Sequence, residues 1–197
     1  MEQTMRKPIC FYYDFVSPYS YFAFSQRDQI RERTGRELQL LPVTVGKIME
    51  MVGNVPTSIT CKTKRAYQGQ DVMRWVEKLQ IPFAIHPQFG TFSTEPLVQA
   101  ALRAGEDVEA FSEAAFQAVW AEQAPVTDNS AMHAYFAGKE ERFAAYWAEN
   151  DLMKDALEKN NNMAVDDGVF GVPYFHTDSG DFFGNDRLDF LYEAIAS

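Results

Sequence analysis

The 197-residue chain contains only two cysteines, Cys10 and Cys61, set far apart. It therefore has neither a Cys-x-x-Cys redox pair nor the paired cysteines of a zinc cluster. Cys10 lies in an apolar run and is expected to pack as a small core hydrophobe, whereas Cys61 lies in a polar stretch that suits an exposed thiol. Neither is assigned a catalytic role. His86, His133 and His176 are scattered without the short spacing of metal ligands, so no metal is expected and they are given surface or structural duties. Basic residues are also scarce. The 18 Lys and Arg stand against 28 Asp and Glu, a formal net charge of -10 that repels phosphate backbones and anionic headgroups, so neither nucleic acid nor membrane is an expected partner. No apolar run approaches the roughly 20 residues that span a bilayer, and residues 1–8 are too short and polar for a signal peptide. A cytoplasmic protein with reduced thiols is the expectation.

What is present is ample core. Hydrophobic residues make up 46% of the chain and aromatics 14%, enough for one compact unit or one unit carrying a large insertion. Residues 9–15 (ICFYYDF) are β-branched and aromatic and end at a Ser17-Pro18 turn, the pattern of a buried strand followed by a helix start. The helix continues through residue 33 until Gly35 stops it. Residues 38–45 (LQLLPVTV) form a second strand, which a crossover of this length makes parallel to the first. Residues 53–60 are rich in turn formers and predict a loop. Helical spacing follows over residues 64–79, 96–103, 108–121, 130–136, 140–148 and 152–160. Residues 172–177, a three-residue turn at 178–180 and residues 181–183 predict a hairpin, and Gly184-Asn185-Asp186 caps a last helix through residue 194. The order β-α-β, helices, β-β-α predicts an α/β fold. Its thioredoxin-like core, with a mixed four-stranded sheet, comes from residues 1–45 and 165–197, and an all-helical domain from residues 46–164 is inserted into it.

Three short segments carry chemistry. Ser17 stands where a strand gives way to a helix, at the positive end of the helix dipole, so its hydroxyl is placed to donate to an anionic ligand atom such as a thiolate; it is equally placed to be an ordinary N-cap. Pro173 enters a strand where proline is normally excluded. A cis bond before it would leave the Val172 backbone free to pair with an extended peptide, while a trans proline at a strand start is the plainer alternative. In Gly184-Asn185-Asp186-Arg187, a helix N-terminus suited to a carboxylate adjoins Asp186, suited to an amine; the plainer alternative is a cap with Arg187 solvated.

In this order, the three segments resemble the kappa-class glutathione transferases and the similar 2-hydroxychromene-2-carboxylate isomerases of bacterial aromatic degradation. The resemblance spans nearly the whole chain and rests on residues 14–21 (DFVSPYSY), Gly53-Asn54, Arg74-Trp75, Ile81-Pro82-Phe83, residues 169–173 (VFGVP) and residues 183–188 (FGNDRL). It implies a homodimeric glutathione enzyme. Ser17 would bond the glutathione sulfur, Val172 beside Pro173 would pair with the cysteinyl backbone, and Gly184, Asn185 and Asp186 would hold the γ-glutamyl end. Asn54 would reach glutathione from its loop with Lys64, or Lys62, as a basic partner. Met49 stands where the isomerases carry a substrate-contacting lysine, with Lys47 two residues earlier. Residues 86–95 would line a second pocket in which Phe89 and Phe92 suit an aromatic or apolar electrophile, although both rings also suit a core. The activity implied is glutathione-dependent isomerisation of an aromatic-ring degradation intermediate by reversible thiolate addition. The alternatives are transfer of glutathione to small apolar electrophiles or peroxides and, from another class, a module that only binds glutathione. Disulfide chemistry ranks last, because Ser17 and Ser20 stand where it needs cysteines.

Overall fold

A computed structural model describes residues 7–196, so the leader reading of residues 1–8 and the last residue of the expected core fall wholly or partly outside the described residues. In chain order the elements are β1 (Ile9–Tyr13), α1 (Pro18–Ser25), α2 (Arg27–Thr34), β2 (Leu38–Pro42), α3 (Val45–Met51), α4 (Thr57–Thr60), α5 (Lys62–Leu79) and α6 (Glu95–Ala104). They continue with α7 (Val108–Trp120), α8 (Asn129–Lys139), α9 (Glu141–Ala148), α10 (Lys154–Asp166), β3 (Tyr174–Thr177), β4 (Gly180–Phe183) and α11 (Leu188–Ala196). The sheet order is β2-β1-β3-β4, with β1 parallel to β2 and antiparallel to β3, and β3 antiparallel to β4. This is the α/β, thioredoxin-like sheet that the sequence predicted, with the helices α3 to α10 between its halves.

β1 is central, and its period of two divides the core. Ile9, Phe11 and Tyr13 enter the larger apolar cluster, whereas Tyr12 enters a smaller one with Leu41, Val43, Ile48, Ala164, Val169 and Tyr174. The larger cluster also takes in Phe111, Phe116 and Trp120 of α7, so the helical segment and one sheet face share a single interior. Phe116 is its junction. Its ring lies 4.8 Å from Phe15, 5.1 Å from Phe24, 5.7 Å from Tyr13 and 5.7 Å from Tyr21, packing α7 onto the end of β1 and onto α1. Trp120 adds a bond from Nε1 to the Phe15 carbonyl at 2.8 Å. Charge reinforces the same junction where Arg27 and Arg31 of α2 meet Glu109 of α7, holding its carboxyl below the usual glutamate range.

The structure departs from the sequence expectations at several places, the first being that β2 ends at Pro42 and α3 begins at Val45, where a strand through residue 45 was expected. The single helix expected after Ser17 breaks at Gln26, whose N–H turns to the Ala23 carbonyl. The Phe22 carbonyl is satisfied instead by Gln26 Nε2 at 3.0 Å and by Ser25 Oγ at 2.8 Å, so polar side chains replace one helical bond. The segment expected as loop contains the short α4, closed by Cys61 N–H donating to the Thr57 carbonyl. Thr177 pairs with Gly180, leaving a two-residue connection where three were expected. Cys10 is half-buried on the central strand, where its thiol donates to Gln39 Oε1 at 3.6 Å, and burial followed by Asp167 pushes its pKa up. Cys61 is exposed, as its polar setting predicted.

Phe116→Ala removes the ring that joins the helices to the strand carrying the Ser17 turn. It is expected to cost about 3–5 kcal/mol, read as a lower urea midpoint at unchanged slope.

Candidate functional site

Ser17 sits at the end of the turn that follows β1, in extended backbone geometry, with Pro18 opening α1. Its Oγ accepts the Ser20 N–H at 3.2 Å, so the capping reading holds. The hydroxyl proton points elsewhere, toward the Val172 carbonyl at 3.4 Å. That distance is long for a hydroxyl bond, so a better acceptor nearby can take the proton while the oxygen keeps its cap. The two readings of Ser17 are compatible. Ser20, one turn on, is buried and its Oγ has no partner among the described residues.

The Val172–Pro173 peptide is cis. Pro173 precedes β3, so no ladder bond is lost to its missing N–H, and its carbonyl accepts the Gly184 N–H at 2.9 Å. The Val172 N–H has no partner among the described residues. A free amide beside a hydroxyl, at a chain bend, suits the backbone of an extended ligand. The loop before it is braced from two sides. Asn54 Nδ2 donates to the Phe170 carbonyl at 2.7 Å, and the Phe170 and Phe183 rings lie 4.7 Å apart. Gly171 packs closely here: a Cβ would lie 3.0 Å from the Phe183 ring, which would have to shift slightly.

The third segment differs from the expected helix start. Residues Asn185–Arg187 make a 3-10 turn and α11 begins only at Leu188. This turn packs against α1, which brings it to the helix that Ser17 caps. Gly184 has φ of 101°, and a Cβ there would lie 2.5 Å from an Asp186 oxygen, so only glycine fits. Asn185 is 4% exposed and its Nδ2 has no partner among the described residues, an unmet donor that burial makes costly. Asp186 is exposed and bonds Arg187 at 2.6 Å, so Arg187 is not merely solvated.

The remaining sequence candidates are placed less tightly. Lys64 and Lys62 are exposed on the first turn of α5, with Lys64 Nζ donating to Thr57 Oγ1. Lys47 is exposed and paired with Glu50 at 2.9 Å. Phe89 is 46% exposed with its ring 5.3 Å from Trp120. Phe92 is half-buried against the larger cluster and lies edge-on to His86 at 5.0 Å, so packing accounts for much of its surface. His86 is buried; Gln88 N–H donates to its Nδ1, which leaves Nε2 as the donor to the Ala124 carbonyl, a structural assignment. A groove of about 370 Å³ runs beside α1 between Phe24, Ile81 and Gln117, but Ser17, Val172 and Asn185 do not line it.

Sequence reasoning gave no role to Asp14 or Thr94. Asp14 is 1% exposed; Oδ1 accepts Thr94 Oγ1–H at 2.6 Å and Val16 N–H at 3.1 Å, and Oδ2 accepts Val45 N–H at 2.9 Å. Its carbonyl accepts the Ser17 N–H at 3.1 Å. An acid closing a largely buried strand was the available signal; nothing local marks Thr94, eighty residues away. Tyr19, next to Pro18, donates to Asp71 at 2.9 Å, and burial and that carboxylate push its phenol up.

Comparison with known proteins matches the DsbA-like thioredoxin domain over residues 8–196. A 2-hydroxychromene-2-carboxylate isomerase from Sphingobium xenophagum is 28% identical over 190 residues, covering 95% of this chain and 97% of that protein. Glutathione S-transferase kappa 2 from Caenorhabditis elegans is 25% identical over 209 residues, covering 95% and 93%. A solved selenomethionine 2-hydroxychromene-2-carboxylate isomerase superposes with a TM-score of 0.82 at 23% identity, covering 96% of this chain and 95% of that one, a likeness of fold. These relatives carry the names of the two enzyme groups that the motifs resemble, and the chain belongs to the DsbA-like thioredoxin domain family.

Proposed function

We propose that the chain is a glutathione-dependent isomerase of the 2-hydroxychromene-2-carboxylate type, with Ser17 as its central residue. One observation carries this reading: the Ser17 hydroxyl meets the carbonyl of Val172, whose amide is unpaired, while the Asn185 turn packs on the helix that Ser17 caps. These unmet groups fit glutathione. Val172 would pair with the cysteinyl backbone beside Pro173, Gly184, Asn185 and Asp186 would hold the γ-glutamyl end, and Asn54 and Lys64 would close the remaining side. Bound glutathione supplies a thiolate for reversible addition to an electron-poor double bond. Ser17 donates its hydroxyl proton to the sulfur position, and the α1 N-terminus favours negative charge there. Asp186 would exchange Arg187 for the ligand amine, a replacement that its exposure makes inexpensive. The relatives' names support the reading, and the resemblance adds a homodimer in the cytoplasm, which sedimentation equilibrium would test.

A transferase acting on small apolar electrophiles is the second reading. Lys47 is held by Glu50 and Met49 replaces the isomerase lysine, which favours a substrate without a carboxylate. Mixing the protein with glutathione and 2-hydroxychromene-2-carboxylate, and separately with an aryl halide, separates the two by which absorbance change requires protein. Tight glutathione binding with no turnover of either would leave a binding module.

Ser17→Ala is expected to raise the apparent pKa of bound glutathione and to lower turnover by roughly 10² to 10³. An unchanged pH profile would remove Ser17 from the mechanism. Gly184→Ala strains the backbone and drives into Asp186; calorimetry should show weaker glutathione binding, while binding at wild-type strength would take the 184–186 turn out of the ligand site.

A further inference from the structure

We propose that Asp14 is the positioning residue for Ser17: its ionised carboxylate holds the turn of residues 14–17, and through it the Ser17 hydroxyl, in the geometry that meets a ligand at Val172. The functional meaning rests on the reading of Ser17 as the ligand-facing hydroxyl. Asp14 lies in the interior, where a carboxylate without a cation normally takes up a proton. The backbone groups that meet it are all donors, and the one side chain is a hydroxyl, which can donate or accept. The turn after β1 presents the Phe15 and Val16 N–H groups, the start of α3 presents the Val45 N–H, and the residue before α6 presents the Thr94 hydroxyl. No charged side chain bonds it among the described residues. A protonated carboxyl keeps the set only by turning its O–H onto Thr94 Oγ1, so the protonation state of Asp14 and the direction of the Thr94 bond change together.

Three chain segments distant in sequence therefore converge on two oxygens directly beneath Ser17. Ser17 is coupled to them twice, because its N–H binds the Asp14 carbonyl and the preceding residue, Val16, binds the Asp14 side chain. Burial pushes the carboxyl up, and the donors draw it only part of the way back, which leaves it above the usual aspartate value. As pH falls through the Asp14 midpoint the added proton reverses or displaces the Thr94 bond, the turn loosens, and Ser17 loses its aim at Val172. The folded state holds the Asp14 proton more tightly than the unfolded chain. Its stability contribution is accordingly complete below the unfolded value and lost as pH rises through the folded one.

The decisive variants are Thr94→Val, which removes one donor without costing α6 a side-chain cap, and Asp14→Asn. The Asp14 carboxyl carbon and the amide signals of Val16, Ser17 and Val45 are followed by NMR through the acid range with no ligand present. The Ser17 amide is expected to titrate at the midpoint of Asp14. In Thr94→Val both midpoints rise together by about one pH unit, since a hydrogen bond to a charged group is lost. In Asp14→Asn that titration leaves the Ser17 signal. With glutathione and substrate, the acid limb of kcat moves upward in Thr94→Val by the same amount while the KM for glutathione changes little. A Ser17 amide that stays flat in the wild type, or a midpoint that Thr94→Val does not move, overturns the proposal. If Asp14→Asn does not fold, Thr94→Val decides alone. If glutathione neither binds nor supports turnover, the glutathione reading fails while the ligand-free titration still decides the role of Asp14.

Discussion

The Asp14 carboxylate, sealed from water without a cation beside it, is satisfied only where three separate parts of the chain meet. Its oxygens close the turn after β1, tie down the start of α3 and draw in the residue before α6. The aromatic packing of α7 keeps water from the same place: Phe116 covers Phe15 and Trp120 bonds the Phe15 carbonyl, so the residue after Asp14 is held by rings and by a directed bond. In so dry a setting each donor to the carboxylate counts for more than it would at the surface, and leaving one unmade would be correspondingly expensive.

Above this buried clamp the candidate ligand groups are paired loosely with their own chain. Ser17 reaches Val172 at a long 3.4 Å, Asp186 turns to the neighbouring Arg187, and Lys47 turns to Glu50. Exposed pairs of this kind contribute little to stability and exchange readily for a ligand. The Val172 N–H has no partner among the described residues, and the buried Asn185 amide is the group in which burial leaves a standing cost. A rigid base carrying weakly committed groups is the arrangement that a binding site needs, because the geometry is set in advance while the contacts remain available.

Much of the frame was legible from local pattern. The run ICFYYDF could only be a buried strand, Ser17-Pro18 could only open a helix, and the proline before β3 signalled an unusual backbone. The misses share a cause. Gln26 breaks a helix because a side-chain amide and the Ser25 hydroxyl can satisfy the Phe22 carbonyl, and helix propensity does not encode that exchange. The 3-10 turn at Asn185–Arg187 was read as a helix cap because both begin with the same residue types. Phe92, for which a core role was left open beside the pocket reading, has packing partners in His86 and the larger cluster.

By itself the sequence determined the strand and helix order, the absence of a cysteine pair at the turn, and which short segments could bear a ligand, since each depends on residues adjacent along the chain. Only the tertiary structure decided that Ser17 faces Val172, that the Asn185 turn lies on the helix Ser17 caps, and that Thr94 reaches Asp14. Those contacts join residues separated by 80 to more than 150 positions, as the Asp14–Thr94 and Ser17–Val172 bonds do. No local preference specifies them. They follow from how a buried central strand and the helices covering it must pack so that most interior donors and acceptors near the turn find partners.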